Sequence, residues 1–127
     1  MRAGLIPADL AERTRQYAVR FTARDRAGWL ALFADDPEVI EPADATPQHG
    51  RAVLEQAFDG IERQGLTVRI EPHEIIVNGR EAAMYLHAFI ARPDGTVTCR
   101  AAIDLFTFDE AGRIARMRGH LGPVQPA

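Results

Sequence analysis

From residue 66 onward the chain reads as strand-length runs joined by tight-turn signals, and this feature most constrains the fold. The runs are "LTVRIEPHEIIVNG", "REAAMYLHAFIARPDG", "TVTCRAAIDLFTF" and "RIARMRGHLG". Asn78-Gly79 and Asp94-Gly95 supply the positive backbone angles of two-residue hairpins, and "DEAG" closes a third turn. Strands linked this closely pair antiparallel, because a parallel crossover needs a dozen residues or more. The first third has the other period. Leu10, Thr14, Tyr17 and Phe21 share one helical face, and Pro7, Asp9 and Glu12 suit a helix start. Asp25 caps a second, short helix that turns Trp29, Leu32 and Phe33 inward and ends at Pro37. "EVIEP" is a short strand and "ADATPQHG" a loop. A third helix over 51–63 presents Val53, Leu54, Ala57, Phe58 and Ile61. Helices first and a meander afterwards imply an α+β fold, with about three N-terminal helices packed on one face of a strongly curved, mainly antiparallel sheet. Such a cone encloses an apolar pocket.

At 127 residues the chain is expected to form a single domain over 1–127, with "GPVQPA" at 122–127 a loose tail. Hydrophobic residues at 46% and charged ones at 26% are ordinary globular proportions. A net charge of −3, with arginines scattered among acids, argues against nucleic-acid partners and membrane insertion. Cys99 is alone, so no disulfide framework or thiolate metal site is expected. His49, His73, His87 and His120 show no metal-ligand spacing and are expected to be structural or exposed, with no metal bound. No phosphate loop, nucleophile elbow or CxxC pair occurs. The opening "MRAGLIPADL" lacks the apolar stretch of a secretion signal, so the expected compartment is the cytoplasm.

One carboxylate breaks the pattern. In "AAIDLFTF" one strand face carries Ala102, Asp104 and Phe106, and the other Ile103, Leu105 and Thr107. Neither face is polar, so both are expected to be covered and Asp104 to be buried. A buried carboxyl without a cation takes a proton rather than bear the cost of an unpaired charge. Two further polar groups interrupt apolar surfaces. Tyr17 lies on the inward stripe of the first helix, and Glu41 ends the first strand after Val39 and Ile40.

Together these residues resemble the steroid Δ5-3-ketoisomerases (ketosteroid isomerases) of the nuclear transport factor 2-like superfamily. The resemblance lies in "RQYAVRFTARDRAGWLALFADDPEVIEPADATPQHGR", with its helix tyrosine, its acid before Pro42 and its "HGR", and in "AAIDLFTFDEAGRI". Glu41 follows Tyr17 by 24 residues, the separation used in that family. The match spans about residues 10–120 and weakens over 60–100. It implies a cofactor-free isomerase acting on a small, hydrophobic, steroid-like substrate. Glu41 would be the general base, with Tyr17 and Asp104 hydrogen-bonding the developing enolate oxygen. A carboxylic acid kept neutral for this purpose in this enzyme is a well-known example of environmental pKa control. Phe21, Phe58, Met84, Leu86, Ala88, Ala102, Phe106 and Met117 would line the substrate cavity. The resemblance also implies a homodimer through the outer sheet face, around His87 and Phe89.

The chain departs from the family at several points. The base is Glu41 where Asp is usual. Phe33 and Phe58 stand where supporting tyrosines occur, and Leu121 where a rim aromatic occurs. Arg100 is in step with Ala102 and Asp104, so it belongs near the pocket mouth, where it is expected to be solvated. The glutamate in place of aspartate favours related acid–base chemistry as an alternative, polyketide-cyclase-like or epoxide-opening. A non-catalytic binding module is a third possibility.

Overall fold

The computed structural model describes residues 5–127. Helix α1 (Pro7–Thr22) starts with proline at its first position, where no amide hydrogen is needed, and the Asp9 carboxylate accepts from the Ile6 amide at 3.1 Å. It buries Leu10, Thr14, Tyr17 and Ala18, while Phe21, the last residue of the expected stripe, is half-buried against the core. The Thr22 hydroxyl accepts from the Ile70 amide at 2.9 Å and pins the helix end to the sheet. Helix α2 (Arg26–Leu30) is capped by Asp25, which accepts from the Gly28 amide at 3.0 Å.

The first strand corrects the sequence reading. Strand β1 spans Phe33–Ile40, so α2 stops at Leu30 and Phe33 belongs to the sheet. The Leu32 carbonyl accepts from the Ile114 amide at 2.8 Å, which draws the backbone into a strand ladder. Pro37 lies inside β1 and ends no helix. An irregularity in pairing between Phe33 and Glu38 removes the need for the amide hydrogen that proline lacks. The expected loop also holds a short strand, β2 (Gln48–His49), and α3 follows over Arg51–Arg63.

Strands β3 (Thr67–Asn78), β4 (Glu81–Ala91), β5 (Val97–Phe108) and β6 (Ile114–Leu121) form the expected meander. Positive φ angles at Gly79 and Gly95 close its first two turns. The sheet order is β2-β1-β6-β5-β4-β3, and every pairing is antiparallel except β1 with β6. The tail is not loose. Gln125–Pro126 forms β7, which pairs with Thr98 and Cys99 of β5, and the Ala127 amide donates to the Val97 carbonyl at 3.1 Å. These backbone bonds hold a segment whose composition suggested none.

The helices cover one face of the curved sheet, and the core lies between them. Rings of Tyr17, Phe21, Trp29, Phe33, Phe58 and Phe106 form its centre, with centroid separations of 5.0 Å for Tyr17–Phe106 and 5.2 Å for Trp29–Phe33. Among the described residues no element covers the outer face over β5 at Ile103 and Leu105. Ile103 and Leu105 are exposed there, 44% and 38%, so only one face of this strand is covered, not the two expected. Among the described residues no helix is long and apolar enough to cross a membrane.

Candidate active site

The site is built along one cross-strand row. Asp104 of β5 pairs with Met84 of β4 on one side and Gly119 of β6 on the other. Ile40 of β1 pairs with Arg118, so the next residue, Glu41, falls beside Gly119. Residues directly opposite each other in a ladder point to the same face. The row therefore brings Glu41 and Asp104 to the inner face with a glycine between them. A Cβ at Gly119 would stand 3.0 Å from Glu41 Oε2 and 3.2 Å from its Cδ and Cγ. The Glu41 carboxyl thus fills the space that a side chain at 119 would need.

The segment after Glu41 is fixed from the other side. Arg118 donates from Nε and an Nη to the Ala43 carbonyl at 3.1 and 3.0 Å, and the Ala45 amide closes a turn onto Pro42 at 2.8 Å. Tyr17 reaches the same place from α1. Its ring is held by Phe106, Trp29, Phe33 and Phe21. Phe33, standing where a supporting tyrosine was anticipated, offers a ring edge and no hydroxyl.

Two adjoining lobes of open space meet at Tyr17, Phe21, Glu41 and Ile61. The sheet-side lobe, about 200 Å³, is lined further by Val68, Ile70, Leu86, Ala88, Ile90, Arg100, Ala102, Asp104 and Leu121. The helix-side lobe, about 430 Å³, is lined by Trp29, Val39, Gln48, Val53, Leu54, Gln56, Ala57 and Met117. Small-molecule sites commonly span about 300–1,000 Å³. Of the expected lining residues, Phe21, Leu86, Ala88, Ala102 and Met117 face these lobes. Phe58, Met84 and Phe106 do not. They are buried in the packed layer beneath, because cross-strand and aromatic neighbours close over them.

Among the described residues, the Tyr17 hydroxyl and the Glu41 and Asp104 carboxyls make no hydrogen bond or ion pair to protein. Their electrostatics follow from that isolation. Burial pushes the Asp104 carboxyl up to about 7, and the negative charge of Glu41 adds to the rise. Burial also raises Tyr17 well above the ordinary phenol range, reinforced by Asp104 and then Glu41, so it stays a donor. Glu41 as a whole residue has substantial exposed surface. Its carboxyl nonetheless lies among protein atoms, and lost hydration raises its pKa, an effect partly offset by the charge of Arg100. The contacts at Gly119 place the carboxyl group itself in a confined space, which is where the loss of hydration acts. Arg100 is not left to solvent as expected. It lines the sheet-side lobe half-buried, with Nε donating to the Gly122 carbonyl at 2.9 Å.

Sequence reasoning passed over Gly119. A lone glycine in the strand pattern "RMRGHL" was the available signal, since such a glycine often marks a close approach. Ile61, Val68, Ile70 and Ile90 were passed over as lining because they read equally well as core. No histidine or cysteine joins the carboxyls in the cavity. Among the described residues, the group with metal-ligand geometry is Glu71, His73 and His87, on the outer sheet face.

Comparison with known proteins places this architecture. The SnoaL-like domain family matches residues 14–117. The chain is also similar in structure to the epoxide hydrolase/cyclase-like enzyme SalBIII, described in pyran ring formation in the polyether salinomycin. The TM-score is 0.85 at 22% identity, covering 94% of this chain and 97% of that one. That likeness bears on the fold alone, three helices packed on a curved, mostly antiparallel sheet.

Proposed function

We propose an acid–base enzyme on a plain premise: the chain belongs to the SnoaL-like domain family. The reading is an isomerase that shifts a Δ5 double bond into conjugation in a 3-oxo steroid or a similar enolisable ketone, without a cofactor. One observation carries it. Three polar groups with no hydrogen-bond or ion-pair partner among the described residues, Tyr17, Glu41 and Asp104, open into a largely apolar cavity.

In this reading ionised Glu41 removes a proton from the carbon between the ketone and the double bond. The electrons of that C–H bond form a new C=C bond, and the carbonyl π electrons move onto oxygen. Tyr17 and neutral Asp104 each donate a hydrogen bond to this oxygen, where negative charge develops. Glu41 then returns the proton two carbons along, the carbonyl re-forms, and the double bonds end in conjugation. Atoms balance within substrate and carboxyl. The pKa directions fit these roles, because Arg100 opposes the rise at Glu41 while nothing opposes the rise at Asp104.

The test is ultraviolet absorbance at the conjugated-enone band after mixing the protein with 5-androstene-3,17-dione. Growth above background that Glu41→Gln loses, about 10²-fold or more, supports the reading. Unchanged growth in that variant removes Glu41 as base.

A second reading is favoured by the coupling of the two acids and by the Glu in place of Asp. Neutral Asp104 would protonate an epoxide oxygen while Glu41 takes the proton of an attacking water or hydroxyl, opening the epoxide or closing a ring. The structural likeness to an epoxide hydrolase/cyclase-like enzyme is compatible with this chemistry. A flat enone trace together with consumption of an epoxy alcohol would select it.

A further inference from the structure

We infer that the outer face of the sheet carries a second, separate site, for a divalent transition metal of the Zn²⁺, Ni²⁺ or Cu²⁺ class, held by Glu71, His73 and His87. One ligand atom from each residue lies within 4.8 Å of the other two. His73 Nε2 stands 3.0 Å from His87 Nδ1 and 3.5 Å from Glu71 Oε1. Nitrogen and oxygen ligands at the usual zinc distances of about 2.0–2.1 Å, set in a tetrahedron, are about 3.3 Å apart. The two measured edges bracket that value, so His73 stands at a bridging distance from both of its neighbours, and the Glu71 and His87 ligand atoms would close onto the same ion.

The backbone explains the convergence. Glu71 pairs directly with His87 across β3 and β4, so both point outward. The register slips between Pro72 and Glu74, which leaves His73 as the extra residue of a bulge. Bulges re-aim side chains, and this one sets the His73 ring against the His87 ring, with centroids 4.3 Å apart. The two histidines are 14 residues apart in sequence, so no short ligand spacing announces them.

Each ligand also has an outer partner that orients it. Arg69 donates to Glu71 Oε2 at 2.7 Å, leaving Oε1 toward His73. The Tyr85 hydroxyl lies 3.2 Å from His87 Nε2, so a metal on Nδ1 would leave the Nε2 proton to be donated to Tyr85. The Tyr85 ring also packs on His73, with centroids 5.4 Å apart. Two imidazoles and one carboxylate suit borderline transition ions, whereas Mg²⁺ and Ca²⁺ favour all-oxygen shells. Three protein ligands would leave a further coordination position for water or another donor.

The experiment is calorimetric titration of the full, metal-stripped chain with ZnCl₂, NiCl₂ and MgCl₂. Saturable binding of one Zn²⁺ or Ni²⁺ per chain is expected, with none for Mg²⁺. His87→Ala and His73→Gln should each abolish it, while His49→Ala and His120→Ala leave it unchanged. Tyr85→Phe should weaken it by about 10-fold by releasing the His87 ring. Thermal melts of each variant guard against misfolding, and His73 at an exposed bulge provides a variant that spares the core. A Co²⁺ visible spectrum that changes in Tyr85→Phe gives an independent readout of geometry. No saturation, equal Mg²⁺ binding, or full binding in both His73→Gln and His87→Ala would overturn the site and leave a His–His hydrogen bond in its place.

Discussion

Strand β5 is inverted about Asp104. On its inner face a carboxyl is buried at 6% exposure between Ala102 and Phe106, and on its outer face Ile103 and Leu105 stand in the open. A stability-driven strand would put the acid outside and the aliphatics inside. Among the described residues the inner acid has no hydrogen-bond partner, whereas the outer polar groups nearby, Arg69, Glu71, His73, Tyr85 and His87, bond one another. Polar groups without protein partners facing a cavity await a ligand, whereas those bonded to one another are already ordered, and a metal ion would replace bonds among them. The difference separates an inner face whose acids stand apart around a cavity from an outer cluster preordered by its own contacts.

The largest expected effect tests whether the inner acid is held against stability. The folded state raises the Asp104 pKa to about 7, so the folded state binds its proton more tightly than the unfolded chain does. Below the ordinary carboxyl range both states are neutral and Asp104 exerts no penalty. As pH rises toward 7 the unfolded chain ionises first, and stability is lost until the folded pKa is passed. Asp104→Asn should therefore match the parent protein near pH 3.5 and exceed it increasingly up to pH 8. The limit is roughly 4 kcal/mol, from about 1.36 kcal/mol per pKa unit. Denaturant titrations across that range measure it. A constant difference would mean that Asp104 is ionised and satisfied throughout.

Asp104→Leu addresses chemistry at the same position. Loss of one donor to a developing oxyanion lowers kcat by about 10²–10³ with a smaller change in KM, because the bond strengthens chiefly in the transition state. Steady-state kinetics on the substrate that the enone assay identifies will separate the two parameters. Gly119→Ala is expected to act more gently and at a distance. Its methyl group would push on the Glu41 carboxyl, and a displacement of about 1 Å costs on the order of 10²-fold in rate. The pH–rate profile should move with it, since Glu41 leaves its confined setting. A rate loss with an unmoved profile would assign Gly119 to packing alone.

These tests rest on elements of unequal legibility in the sequence. The meander was readable because Asn78-Gly79 and Asp94-Gly95 act locally, and α1 because its period is local too. The end of α2 was not, since the Leu32 carbonyl is taken by Ile114, a partner more than 80 positions away. Strand β7 failed for the same reason, its bonds being supplied by the start of β5. Tyr17, Glu41 and Asp104 stood out because each breaks an apolar pattern. Arg100 and Gly119 give weaker signals, a cation in step with the inner face and a lone glycine in a strand. Their positions follow from cross-strand register, which fixes neighbours only after the sheet closes.

The smallest effect belongs to the outer face and completes the contrast. Met84, fully buried opposite Asp104, should cost about 2–5 kcal/mol when cut to Ala, because a cavity is left in the packed layer. Leu105 lies one step along β5 from Asp104 but on the open side, so Leu105→Lys should change the stability of the isolated chain by no more than about 0.5 kcal/mol. Dilute thermal or urea unfolding measures both. The family resemblance implies that a second copy covers this face, and we propose that partner as the reason aliphatics remain there. Sedimentation of Leu105→Lys would then report a monomer at concentrations where the parent chain dimerises. Because the lysine is neutral for the single chain and repulsive only across an interface, a large stability loss in the dilute monomer would sink the contrast itself. Some part of the chain would have to cover the outer face as tightly as the helices cover the inner one.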